Sequence, residues 1–468
     1  MSQMASTQPN PAAARLPKPP GPRGQFFWGS LPDLQRDMLG LYRDSTRQYG
    51  DVVTLRFAGF DTFTVSHPDH FKHILQDNNK NYGRNPFVNE LVKLFTGLSL
   101  FTADGPDWLS RRRLMQPAFH RQRIAGFGAV MRTAVQQMLA EWDAAPDGHE
   151  VEVDQALMAL TLRVAGQALF SVDLLGESQA LGQAFTDMSE YLNYRMKNPF
   201  PPPMFIPTAP NRLYQRTRRT LDEKIYALIR QRRAAATQPN DLLAMLMEAR
   251  DADTGQGMGD EQLHHEIETM MFAGHETTAA TLTWAFYLLS QHPEPAAKLH
   301  AELDRVLAGR APTLEDLAQL PYTRLVIDEV LRMYPPAFGI TRASLGPDVI
   351  GGYRVPAKAS VTMLTWNAHY DPRFWDAPER FDPERFLPER SSGRPPFAYL
   401  PFGAGPRQCI GNIFALNEAQ LLLASIAQRY TLRLKPGHPV QPRPVFVLRT
   451  SHGLPMLAER RPQPAPAA

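Results

Sequence analysis

The chain of 468 residues holds a single cysteine, Cys409, so no disulfide can form within it. It also lacks long apolar runs. Segments such as 282–289, itself interrupted by a threonine, stay well short of the ~18 residues that a membrane span requires. Residues 1–20 carry no apolar core of the secretory-signal kind, which together with one thiol points to a reducing, cytoplasmic setting. Neither sign of charge dominates: 50 Lys and Arg face 47 Asp and Glu, for a formal net charge of +3. The basic residues are dispersed rather than gathered into a stripe, which argues against a nucleic-acid partner. The one dense cluster, Arg111-Arg112-Arg113, is first a solvated helix face and second a docking patch for an acidic protein.

What is present is length, proline and helical periodicity. The length exceeds the usual single core, which favours two subdomains or one large helical enzyme. Pro and Ala crowd both ends, so residues 1–22 and 459–468 are expected to be disordered tails around a single domain, 23–458. Apolar spacing predicts helices over 31–49, 123–142, 157–170, 212–234, 261–292 and 322–334. Strand-like runs occur at 52–57 and 62–65 about a glycine-containing turn, and extended structure is expected again over 349–364 and 445–456. The proline-rich 198–210 cannot be helical and is expected to form a connection or a lid. The fold class is mainly α with small β-sheets (α+β).

Cys409 ends the run Phe402-Gly403-Ala404-Gly405-Pro406-Arg407-Gln408-Cys409, just before Ile410-Gly411 and an apolar helical stretch. Glycines let backbone pass close beneath a flat macrocycle, and a helix start turns N–H groups toward an anionic thiolate. That setting suits axial ligation of haem iron better than the buried structural role of an isolated cysteine. In 261–292, Ala273-Gly274-His275-Glu276-Thr277 places a hydroxyl at Thr277 that can bond back to the carbonyl of Ala273, opening a notch beside a ligand. Glu276 beside it adds an ionisable group for proton relay. Trp108 and Arg112 lie four residues apart on one helical face and offer donors suited to a haem propionate, as do Arg407 and Arg342. Glu329 and Arg332 share a helix face, and either Arg385 or Arg380 completes a buried network around them.

Together these elements resemble the cytochrome P450 superfamily of haem-thiolate monooxygenases, over residues 20–456 and in the expected order. The cysteine loop fits F-G-x-G-x-R-x-C-x-G at each fixed position and continues into Phe414-Ala415 and Glu418. The resemblance implies a triangular helical haem domain, with Cys409 as proximal ligand and Phe402 packed near its sulfur. Arg407, Arg342, Trp108 and Arg112 would hold the propionates of haem b. Glu276 and Thr277 would be the acid–alcohol pair for dioxygen scission, although family members often have Asp where Glu276 stands. Glu329, Arg332 and Arg385 would form the structural triad. Family position puts Phe87, Leu91, Phe95, Ala273, Ala337, Phe338 and Phe446 near an apolar substrate: a fatty acid, terpenoid, steroid or polyketide-like molecule to be hydroxylated or epoxidised. The segment 19–22 resembles the hinge after a membrane anchor, with only a polar tail before it. No appended flavin or iron–sulfur domain is expected. Electrons from NAD(P)H would therefore come through a separate ferredoxin with its reductase, or a flavodoxin-type donor, docking on the cysteine side near Arg111 and Arg113. Two alternatives stand beside this: the same fold acting with peroxide or as an isomerase or dehydratase, and a non-catalytic haem sensor.

Overall fold

The helix Asp260–Gln291 sets the frame of the molecule. No proline interrupts it, and Asp260 and Glu261 in its first turn suit the positive end of its dipole. Its 32 residues span about 48 Å. Because apolar side chains occupy nearly every face, nearly every face is covered. Val153–Phe170, Asn412–Arg429, Pro321–Met333 and Ala209–Ala234 pack around it into one continuous core, in which Trp284 stacks on Tyr334 with ring centroids 3.9 Å apart. This is a computed structural model, describing residues 16–172, 178–198, 200–237, 239, 241–250 and 255–462.

Most expected helices form near the expected bounds, and two are broken. The 31–49 pattern divides at Asp37, whose carboxylate caps Met38–Tyr49 by accepting from the Gly40 N–H at 2.9 Å. The 123–142 pattern divides into Arg121–Ala125 and Gly128–Ala144, with Gly126 and Phe127 between. Helices Pro86–Thr96, Gly105–Met115, Ser178–Lys197 and Pro293–Leu307 complete the long elements near the site. Residues 200–208 are irregular, in keeping with their prolines.

The largest sheet has five strands. Val52–Phe57 pairs antiparallel with Phe60–Val65, which runs parallel to Ser360–Met363; that strand pairs antiparallel with Ile340–Ser344, whose far edge takes Tyr82–Gly83. A separate apolar core lies beneath it. In a second sheet Pro455–Arg460 runs antiparallel between His149–Glu152 and Tyr430–Leu434. A two-stranded hairpin, Pro442–Pro444 with Leu448–Thr450, reaches the central helix, where Leu448 O accepts from Trp284 Nε1 at 2.9 Å.

Both expected tail boundaries move. Glu459 and Arg460 finish a strand. Residues 17–20 lie against strands of two sheets: Pro20 O accepts from Thr54 N at 2.8 Å and Pro19 O from Thr54 Oγ1 at 2.9 Å in the five-stranded sheet, and Pro17 O from Arg354 N at 3.0 Å in the separate hairpin of Asp348–Ile350 with Tyr353–Val355. Proline cannot donate to a ladder, but its carbonyl still accepts, so a proline-rich segment can edge a sheet in this one-sided way. Residues 1–15 and 463–468 lie outside the described residues. Among the described residues, no helix is long and apolar enough to cross a membrane.

Candidate active site

The cysteine loop is held by its own backbone. Cys409 N donates to Phe402 O at 3.0 Å, and Gly403 N to Leu400 O at 3.2 Å. Gly405 is required by its neighbour: at φ +69°, a Cβ there would meet Leu75 O at 1.9 Å. The close approach is thus to protein backbone. The helix Asn412–Arg429 begins just beyond, and the Gly411 N–H points at the sulfur. Burial pushes the Cys409 thiol up, while that N–H and Arg112 oppose the shift. Nonetheless the sulfur residue is solvent-accessible and free. A thiol wrapped in protein yet accessible to solvent fits the wall of an interior space.

Four guanidinium groups gather beside this loop. Arg112 donates to Gln408 O at 3.0 Å. Arg407 lies 4.5 Å over the Trp108 ring, donates to Ala103 O and pairs with Asp104. Arg342 is buried and, among the described residues, its side chain hydrogen-bonds only the neighbouring carbonyl of Thr341, at 3.0 Å. Burial and Arg407 bring it down to about 10. Arg84, which sequence reasoning missed, lies 4.9 Å over the Phe101 ring with its buried Nε unpartnered. Burial, then Arg342 and Arg407, push it well below the usual arginine range. Asp104 is the one carboxylate acting on Arg84, Arg342 and Arg407 together. Cations held this close with one counter-charge fit a ligand carrying carboxylates of its own. A soft sulfur donor, an apolar space and a cationic rim together suit an iron porphyrin.

The central helix supplies a second interior surface. From Glu266 to Phe286 every residue is buried except Ala273, Gly274 and Thr277, which share one face. Thr277 Oγ1 donates to Ala273 O at 2.8 Å, the local bond expected from the sequence. Ala337 is also open, and Phe338 and Phe446 are partly so. Phe446 lies 5.2 Å from Phe272 and 6.1 Å from Phe101. Leu91 and Phe95 are in the core, with Phe95 packed 4.3 Å from Phe272, and Phe87 is exposed at 57%. The seven substrate candidates therefore divide between open wall, second layer and exposed surface.

Glu276 points elsewhere than Thr277. Its carboxylate is buried, accepts from Ser189 Oγ at 3.1 Å and pairs with Arg449. Burial pushes its acid strength down, raising the pKa, while Arg449 and Ser189 oppose this. His275 is buried and neutral, brought down to about 4 by burial, with Nδ1 on Met271 O at 2.8 Å. Glu418, on the helix after Cys409, accepts from Thr278 Oγ1 at 3.0 Å, and its other oxygen is unpartnered.

Glu329 receives Arg332 at 2.7 Å and Arg385 at 2.8 Å, all three buried. Arg380 instead pairs with Asp382 near the surface. The network extends to the cysteine loop: Arg332 NH1 donates to His369 O at 2.7 Å, and His369 Nε2 accepts from Leu400 N at 3.1 Å. Arg111 departs from its expected place as a docking residue. It is buried and donates to Glu266 at 2.8 Å, because three successive helical residues cannot share one face. Arg113 remains exposed.

This cysteine loop, helix notch and buried ion network define a haem-thiolate enzyme class, and the comparisons agree. The family model for Cytochrome P450 matches residues 19–455, so the chain belongs to that family and is a haem-dependent monooxygenase. Cyclooctatin synthase of Streptomyces melanosporofaciens is 37% identical, covering 88% of this chain and 89% of that protein. Cyclooctat-9-en-7-ol 5-monooxygenase of the same organism is 35% identical, covering 87% and 89%. The crystal structure of the cytochrome P450DA heme domain superposes with a TM-score of 0.87 at 27% identity, covering 96% of this chain and 99% of that one.

Proposed function

We propose that the chain oxidises a largely hydrocarbon, cyclic terpenoid-like molecule, with Cys409 as proximal ligand of haem b. The observation that carries this reading is the accessible thiol of Cys409 together with the lone opening, at Ala273, Gly274 and Thr277, in the otherwise buried middle of the central helix. Arg84, Arg112, Arg342 and Arg407, with Trp108, would hold the propionates. When bound, the iron porphyrin supplies the reductive activation of dioxygen and the insertion of oxygen into a C–H or C=C bond. The protein's own residues bind, shield and deliver protons. Gly411 N–H and Arg112 stabilise negative charge on the sulfur. Phe446 and Phe338, with Ala273 and Ala337, give the substrate apolar contacts and room, so shape rather than hydrogen bonding would orient it. Thr277 keeps its hydroxyl at the open notch, where it can pass a proton onward, and Glu276 is the acid that would supply it. The terpenoid class is supported by the relatives named above and by the scarcity of polar groups at the open wall. Electrons would come from NAD(P)H through a separate ferredoxin or flavodoxin-type protein. Its docking face on the cysteine side includes Arg113 but not the buried Arg111.

The reduced holoprotein under carbon monoxide should show the red-displaced Soret band of a thiolate-ligated haem, and Cys409→Ser should lose it while retaining porphyrin. A normal band in the serine variant would remove Cys409 from the site.

A further inference from the structure

Glu276 and Phe446 are connected through one short piece of chain. The hairpin that carries Phe446 at its tip also carries Arg449, the partner of Glu276. Between them stands Leu448, fixed by two main-chain bonds: its N–H donates to Pro336 O at 3.1 Å, and its carbonyl accepts from Trp284 Nε1 at 2.9 Å. Phe446 lies on one side of this fixed residue, against Phe272 and Phe101, and Arg449 on the other. Leu448 thus anchors the chain between the Phe446 tip and the Arg449 ion pair. The hairpin's first strand is tied separately, by Arg443 on Glu190 at 2.7 Å.

We infer that Arg449 is a positioning residue that keeps Glu276 out of service until a ligand moves the Phe446 tip, so that proton supply is linked to occupancy of the pocket. This rests on Glu276 and Thr277 being the proton route. The Arg449 guanidinium, which can only donate, favours the carboxylate form of Glu276 against the burial that raises its pKa, and that form accepts only and has no proton to give. The groups facing it are Arg449 and Ser189, with Glu190 and its partner Arg443 beyond. His275, next on its own helix, is neutral. Pulling Arg449 away leaves a buried carboxylate with only a hydroxyl partner, which takes up a proton from solvent to become neutral. The neutral acid can donate that proton through the Thr277 hydroxyl into the cavity. It then returns to the carboxylate form and pairs again with Arg449, so one proton enters from solvent and one leaves. Without a ligand on Phe446 the acid stays empty, and reducing power is not spent on an unoccupied pocket.

Difference infrared spectroscopy on the full-length holoenzyme tests this, with the protonated-carboxyl stretch assigned to Glu276 by its loss in Glu276→Gln. The native enzyme should lack the band when ligand-free and gain it when phenylimidazole, a rigid apolar probe, fills the pocket, with filling confirmed by the Soret shift. Arg449→Met should show the band without any probe, and Arg449→Lys should suppress it again. Phe446→Ala, which leaves the ion pair intact, should lose the probe-induced band although the probe still binds. A ligand-free Arg449→Met spectrum identical to native, or a full response in Phe446→Ala, would overturn the inference. Thr277→Ala separates the two readings. If it leaves electron use fully coupled to product, the proton route itself is wrong, whatever the infrared spectra show of Arg449.

Discussion

Glu276 and Glu418 are buried carboxyls in the same interior with opposite electrostatic company. Glu276 has a guanidinium beside it. Glu418 has only the Thr278 hydroxyl, and burial lifts it to about 8. At neutral pH Glu418 is therefore a neutral acid, accepting from Thr278 on one oxygen and carrying its proton on the other. Its folded value lies above the ordinary carboxylate value of about 4.3, so the folded protein holds an extra proton between the two. The stability that this group contributes is complete below about pH 4 and is lost as pH rises through about 8, at no more than ~1.4 kcal/mol per pH unit. Glu418→Gln keeps an acceptor for Thr278 and cannot ionise. In urea unfolding across about pH 5 to 8, the glutamine variant should lose stability less steeply than the native protein. Glu268, also raised to about 8, is common to both proteins and cancels in the comparison. Parallel slopes would mean that Glu418 is already ionised in the folded state.

At the scale of elements, Pro321–Met333 is joined to the cysteine loop by ions rather than by packing alone. Glu329 is shared by Arg332 and Arg385, and Arg332 reaches on to His369, which receives Leu400 N near the loop's start. Arg385→Met would strip one partner from a buried carboxylate, at a cost of about 3–5 kcal/mol. Arg380→Met removes an exposed pair and should stay within about 0.5 kcal/mol. Guanidinium unfolding of the two holoproteins checks the contrast, and equal losses would dissolve the assignment of Arg385 to the network. The sequence could not choose between these arginines, since both follow Glu within near-repeats, and only the chain's return past Glu329 decides. The same limit governed Arg111, whose partner Glu266 lies 155 residues away. Elements with strong local signals were legible: the central helix lies within one residue of its expected bounds, because apolar periodicity and freedom from proline are local properties. The cysteine loop was legible for the same reason, its chemistry being spelled out within ten consecutive residues. Helix breaks at Asp37 and Gly126 were not, because the apolar pattern continues across them.

The whole molecule meets at its cationic rim. Arg84 follows the edge strand Tyr82–Gly83, Trp108 and Arg112 come from Gly105–Met115, Arg342 from a sheet strand, and Arg407 from the cysteine loop. These pieces are spread over more than 300 positions of chain, and their charges repel until an anionic group arrives. A porphyrin with free propionates should therefore act as a clasp between distant segments, stabilising the fold in proportion to its affinity. Each propionate–guanidinium bond is worth about 1.5–3 kcal/mol. The consequence is separable from iron chemistry. Metal-free protoporphyrin should raise the unfolding temperature of the apoprotein, and its dimethyl ester, of nearly the same shape but uncharged, should raise it much less. In Arg84→Gln the free acid should lose roughly 10-fold or more in affinity while the ester is unaffected, as one lost charge-assisted bond requires. Fluorescence titration of both porphyrins against both proteins gives the four affinities directly. If Arg84→Gln weakened acid and ester alike, Arg84 would support the Phe101 wall rather than the propionates, and the rim would reduce to Arg112, Arg342 and Arg407.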